Sequence, residues 1–174
     1  MRVSACLVTR GNVDLEPILA TLPYDDVVVW NNSEREDLGI YGRYAAIAEA
    51  KHPVIFTQDD DLLVTCHDQL ANHYRPGRLV CNYPHPWDIP WVARGALFDR
   101  DLPERAFAKY RARGYQHDRD FTHWICDGVF AMLTPFDVVD YGSEDLPWCN
   151  DSGRVSTTGG WYDDKRPLIH ARCL

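Results

Sequence analysis

Asp59-Asp60-Asp61 follows an apolar stretch, Val54-Ile55-Phe56-Thr57, and a second apolar run, Leu62-Leu63-Val64, comes directly after it. Three adjacent carboxylates delivered by a buried strand repel one another and lose solvation, so they call for a positive charge among them. A divalent cation supplies that charge, and carboxylate oxygens are the ligands that Mg²⁺ and Mn²⁺ prefer. Side chains alternate along a strand end, which lets Asp59 and Asp61 face one side together. One then holds a ribose hydroxyl while the other grips a metal bridging two phosphate oxygens, stabilising the charge that builds on a departing diphosphate. An exposed acidic turn with no ligand is the competing reading of the triplet. The apolar flanks on both sides weigh against it.

The elements before the triplet determine where it sits. Val3 to Val8 reads as a short buried strand ended by Thr9-Arg10-Gly11-Asn12. Asp14 to Leu22 has helical apolar spacing, with Asn12 or Asp14 as a cap and Pro23 closing it. Asp26 to Trp30 is a β-branched strand running into Asn31-Asn32-Ser33-Glu34, Tyr41 to Ala50 an alanine-rich helix, and Val54 to Thr57 a third strand. Strands alternating with helices predict a mostly parallel α/β sheet with right-handed crossovers. Ligands of such sheets bind beyond the carboxyl ends of the strands, the shared address of Thr9-Asn12, Asn31-Glu34 and Asp59-Asp61. Further on, the pattern predicts a helix over Thr65–Tyr74, a strand over Leu79–Asn82 and a proline- and aromatic-rich loop over Tyr83–Trp91. It then predicts a helix over Asp101–Arg113, a strand over Val129–Leu133, a short helix from Pro135 and a mobile loop over Ser156–Tyr162.

Composition bounds the partners. The chain has 174 residues, 45% hydrophobic and 25% charged, the profile of one globular domain. A net charge of -8 disfavours duplex DNA and anionic membranes, which need basic stripes, but permits a single nucleotide diphosphate. Local basic character survives at Arg105, Lys109, Arg111 and Arg113. No apolar run approaches a bilayer span, and Val3-Val8 is too short for a signal peptide. The six cysteines lack C-x-x-C or zinc spacing, so free thiols in a reducing cytoplasm are expected.

Val3-Gly11, Val27-Ser33, Gly42-Arg43 and Phe56-Asp61 resemble, in order and spacing, the donor-binding half of GT-A fold glycosyltransferases, among them family-2-like and exostosin-like enzymes. The resemblance implies a Rossmann-like three-layer α/β sandwich forming a single domain over 1–174, with 1–64 the nucleotide-binding half and 65–174 the acceptor-binding half. It implies transfer of a sugar from a nucleotide-sugar donor, a UDP-sugar, to an acceptor hydroxyl, with Mn²⁺ or Mg²⁺ at a DXD motif. Thr9 and Arg10 would contact the uracil or ribose, Asn31 the base, and Arg43 would lie along the nucleotide. Asp59, Asp60 and Asp61 would serve ribose and metal. Gly142-Ser143-Glu144-Asp145-Leu146 resembles the family's Glu-Asp pair, making Asp145, with Glu144 second, the carboxylate that takes the acceptor's proton. The competing reading is a helix capped by Ser143, with the acids complementing its dipole. His170 would complete the metal shell of Asp61 and Asp59, and Arg172 would reach the diphosphate from the same strand. Gly159-Gly160-Trp161 would be a lid, and Trp148 and Trp161 sugar platforms.

Rival chemistries lack their signatures. A P-loop enzyme needs a Gly-rich Lys-Ser/Thr loop that the chain does not contain, and dehalogenase-like phosphatases carry their aspartates after the first strand. A nucleotidyltransferase of similar fold, or a non-catalytic nucleotide- or carbohydrate-binding module, remains as the alternative. The acceptor, whether protein, glycan or modified nucleobase, is not encoded in any motif.

Overall fold

The computed structural model describes residues 1–82, 90–147 and 161–173, with residues 161–166 described by backbone alone. Val3–Thr9 (β1) is buried along its whole length, as a strand covered on both faces must be. Asp26–Asn31 (β2) and Val54–Thr57 (β3) pair with it on either side, both parallel. Between them lie Glu16–Leu19 (α1) and Gly42–Ala46 (α2), the latter bounded by 3₁₀ turns at Gly39–Tyr41 and Ile47–Glu49. The helices are shorter than the periodicity predicts, but the strand–helix order up to the aspartates is as expected.

Beyond the triplet come Leu62–Leu63 (β4), His67–His73 (α3), Leu79–Cys81 (β5), Ala96–Asp99 (β6) and Leu102–Ala112 (α4). Cys126–Met132 (α5), Phe136–Val138 (β7), Glu144–Asp145 (β8) and Trp161–Cys173 (α6) complete the described elements. The six-stranded sheet has the order β2-β1-β3-β6-β5-β7, and β6 is antiparallel to both its neighbours. The result is a mixed α/β fold on a mostly parallel central sheet. Strand alternation divides the core between the two faces. Cys6, Ile55, Phe98, Leu79 and Cys81 meet α4 and α5, while Ala5, Phe56, Leu97 and Val80 meet Leu70 of α3.

Three expectations are corrected, and one strand is added to them. Val129–Leu133 is not a strand: most of it belongs to α5, which buries Cys126, Val129, Phe130 and Ala131, and a short apolar run does not by itself distinguish a buried strand from a buried helix. The helix expected from Pro135 is instead the edge strand β7. β6 was not anticipated; it is only four residues long and follows Gly95, whose φ of 101° turns the chain into it. The C-terminal segment carrying His170 and Arg172 is helix, not strand, and Pro167 inside it disguised the pattern. Among the described residues no helix is long and apolar enough to cross a membrane.

Candidate functional site

The aspartate triplet is fixed mainly by backbone and buried amide contacts. Thr57 Oγ1 donates to Cys6 O at 2.7 Å, tying the exit of β3 to β1. Gln58, fully buried, spans the turn by donating from Nε2 to Leu62 O at 2.7 Å. Asp59 N–H donates to Ala93 O at 2.7 Å, and Asp61 O accepts from Leu146 N–H at 2.8 Å. Asp61 itself is buried. The Asp60 carboxyl is pushed above the usual carboxylate range, chiefly by burial; the Thr9 hydrogen bond pulls it down, Asp59 raises it and Arg43 lowers it.

Leu62 pairs with Asp145, and Leu63 with Glu144, in a two-stranded antiparallel ribbon. That pairing carries the Glu144-Asp145 segment to the flank of the triplet, from 84 residues away in sequence for Asp61 and Asp145 (145 minus 61). It also replaces the helix-cap reading of Ser143, since the segment is extended. Arg94, which no sequence pattern singled out, holds it: Nη1 donates to Ser143 Oγ at 2.9 Å and Nη2 pairs with Asp145 Oδ1 at 3.0 Å. Asn82 completes the clamp, donating to Gly142 O at 2.6 Å and accepting from Tyr141 N–H at 3.1 Å. Arg94 also stacks over Trp91, at 5.1 Å from its ring centroid.

The loops after β1 and β2 close on each other. Asn32 N–H donates to Thr9 O at 2.9 Å, and Thr9 Oγ1 accepts from Gly11 N–H at 3.1 Å. Gly11 has φ 81°, and a Cβ there would lie 2.3 Å from Ser33 Oγ and 2.6 Å from Asn31 Oδ1, so only glycine permits this approach. Asn31 Oδ1 accepts from Ser33 N–H at 3.0 Å and from Ser33 Oγ at 2.8 Å, which commits that oxygen to the loop itself. Arg10 is exposed beside them.

Arg43 turns inward. Its side chain is 1% exposed, and its guanidinium forms an ion pair with Asp59 and lies 3.7 Å from Asp127 Oδ2. Asp127, in the first turn of α5, was not foreseen either; Tyr44 Oη donates to its Oδ1 at 2.7 Å. The one local signal is a π-helical turn, Phe121–Ile125, immediately before α5, a feature that often marks functional sites.

The expected metal set is not gathered. Among the described residues no group of three or more His, Cys, Asp or Glu side chains is arranged to hold a metal, so Asp59, Asp61 and His170 do not form a closed cage. His170 stands on α6, where its neighbour Ile169 packs against Gly128 of α5. Arg172 donates to Tyr110 Oη at 2.9 Å and pairs with Asp118 at 3.4 Å, so its charge serves the anchoring of α6. The donors nevertheless suit a hard cation that arrives with phosphate, since Mg²⁺ typically takes one or two carboxylates and completes its shell with substrate oxygens and water. Burial raises the Asp60 carboxyl despite the Thr9 hydrogen bond and the Arg43 charge, and a nearby cation would favour its ionised form. Asp60 and Asp61 would hold such an ion, while Asp59 is engaged by Arg43.

Trp148, Gly159 and Gly160 lie outside the described residues, as does the side chain of Trp161. The described cysteines are free and buried. Burial pushes the Cys6 thiol up to about 12 and Cys173 to about 11, which removes them as nucleophiles. No protein-family model, curated protein sequence or solved structure matches the chain.

Proposed function

We propose that the protein is a GT-A-like glycosyltransferase that moves a sugar from a nucleotide-sugar donor, a UDP-sugar, to an acceptor hydroxyl. The observation that supports this reading is the β4–β8 ribbon, which pairs the backbone of Glu144-Asp145 with Leu62-Leu63, the residues that directly follow the aspartate triplet at the end of β3. Donor and acceptor chemistry call for acidic groups in one neighbourhood, and the ribbon is what would draw the two acidic segments together from distant parts of the chain. In this reading Thr9, Arg10 and Asn31 face the nucleoside from the interlocked β1 and β2 loops.

Asp60 and Asp61 would hold Mn²⁺ or Mg²⁺, which supplies charge stabilisation for the leaving diphosphate. Asp145 accepts the acceptor's hydroxyl proton. Its side chain is 47% exposed and so open to an incoming substrate, while Arg94 restricts its motion. A carboxylate held in this way acts as a general base only within hydrogen-bond reach of the hydroxyl, and the Arg94–Ser143–Asn82 clamp limits the wandering that would break that reach.

A thermal-shift panel of nucleotide sugars, each with and without Mn²⁺, tests the assignment. Selective stabilisation by UDP-sugars that requires the metal is the expected result. Mn²⁺-dependent release of UDP without acceptor then separates an enzyme from a binding module. A panel in which no nucleotide sugar raises Tm would remove the proposal.

A further inference from the structure

Arg43 lies beneath two partly exposed carboxylates that come from different parts of the fold. Its own side chain is 1% exposed, whereas those of Asp59 and Asp127 are 34% and 18% exposed. Nη2 is the shared atom, ion-paired with Asp59 Oδ1 and 3.7 Å from Asp127 Oδ2. Nε donates to Ile40 O at 3.3 Å, and Nη1 is buried with no hydrogen-bond partner. Burial works against the charge, yet Asp127 and Asp59 outweigh it and hold the guanidinium ionised. A buried cation of this kind is tolerated only when its counter-ions are close and well fixed.

The sequence drives this burial locally. A Cβ at Gly42 would lie 2.6 Å from Trp30 Cδ1 and 2.7 Å from Val8 Cγ2, so α2 rests directly on β1 and β2. The neighbouring residue is thereby carried under the strand ends rather than over them. A nucleotide lying across the open edge meets Asp59 and Asp127 before it meets Arg43.

We propose that Arg43 is a positioning residue, its buried guanidinium locking Asp59 at the end of β3 to Asp127 at the start of α5 so that the two acids present one fixed ligand-binding pair. The proposal rests on the donor-site reading above but makes a separate claim: Arg43 acts through the carboxylates and does not touch the donor. Asp127 is thereby part of the site, although it belongs to neither acidic motif.

The test compares wild type, Arg43→Lys, Arg43→Met, Asp127→Asn and the Arg43→Met/Asp127→Asn double variant. UDP binding in the presence of Mn²⁺ is followed by calorimetry, and unfolding by Tm. Arg43→Met is expected to weaken UDP binding at least ~10-fold and to lower Tm by roughly 10 °C, the scale for breaking an ion pair whose cation is buried. In the Asp127→Asn background the same change is expected to cost less than half as much in Tm, because one of the stranded carboxylates is gone. Arg43→Lys keeps the charge but cannot span two acids, so Tm recovers in part and UDP affinity does not. Additive Tm losses, full UDP affinity in Arg43→Lys, or unchanged UDP affinity in Asp127→Asn would each overturn the proposal. If Arg43→Met does not fold, the lysine and asparagine variants decide. Wild type that binds no UDP would refute the donor reading, and the Tm coupling between residues 43 and 127 would then judge the clamp alone.

Discussion

The two ends of the sheet carry carboxylates in opposite circumstances, Asp26 buried and Asp60 half-buried. At the start of the strands, Asp26 Oδ2 accepts from Ser4 Oγ at 2.6 Å and from Lys51 N–H at 2.8 Å, and Lys51 Nζ lies 3.0 Å from Oδ1. His52 N–H donates to Ser4 Oγ at 3.0 Å, and its ring meets Asp25 at 2.9 Å. The Ser4 and Lys51 bonds draw the Asp26 carboxyl down from 3.8 to about 2. At the far end, burial pushes the Asp60 carboxyl up. Asp26 has every partner it needs within the fold and serves stability. At Asp60 burial outweighs the Thr9 hydrogen bond and the Arg43 charge, so the balance falls the other way.

The contrast is broken most forcefully at Asp61. Asp61→Asn is expected to weaken Mn²⁺-dependent UDP binding by ~100-fold or more, in line with loss of a preorganised charged contact, with Tm little changed in the absence of ligand. Calorimetry and unfolding on the same preparation check both halves. Next in size, if Asp145 takes the acceptor's proton as proposed, Asp145→Asn should slow sugar transfer by ~100-fold while UDP binding stays intact. Comparison of transfer rates with binding constants reads that difference.

At the opposite end the effect is on folding alone. Asp26→Ala should cost about 2 kcal/mol of stability, the price of stranding buried donors, and leave UDP binding unchanged. The pH dependence sharpens it. A carboxyl depressed in the folded state adds stability above its unfolded pKa and surrenders it as pH falls through the folded one. Wild type should therefore lose stability between about pH 4 and 2, and Asp26→Ala should show a shallower loss over the same window. The smallest effect is at Asp60, where the sign reverses. Its carboxyl is raised by burial, so its ionised form costs the fold stability at neutral pH, and Asp60→Asn should raise Tm slightly while weakening metal-dependent binding.

The strand-end edge that gathers these loops was legible in the sequence because the parallel strands there are continuous apolar runs and each delivers its polar loop to the same edge. Thr9, Asn31 and Asp59-Asp61 follow from that pattern alone. The rest depends on contacts made across long stretches of chain. Nothing in Glu144-Asp145 announces a strand partner at Leu62-Leu63, and Arg94 sits in a 3₁₀ turn that no periodicity marks. The burial of Arg43 follows from Gly42 packing on Trp30 and Val8, a tertiary effect that no local pattern displays. Phe130 and Phe136, in neighbouring apolar runs, were assigned to the wrong element types, since each run is too short for its period to declare itself.

Anomalous scattering from a crystal soaked with Mn²⁺ and UDP addresses the aspartate edge most directly. A manganese peak at ~2.0–2.3 Å from carboxylate oxygens of Asp60 or Asp61, shared with diphosphate oxygens, is the expected result. UDP bound elsewhere, or manganese absent from that edge while UDP occupies it, would contradict a metal-assisted donor site.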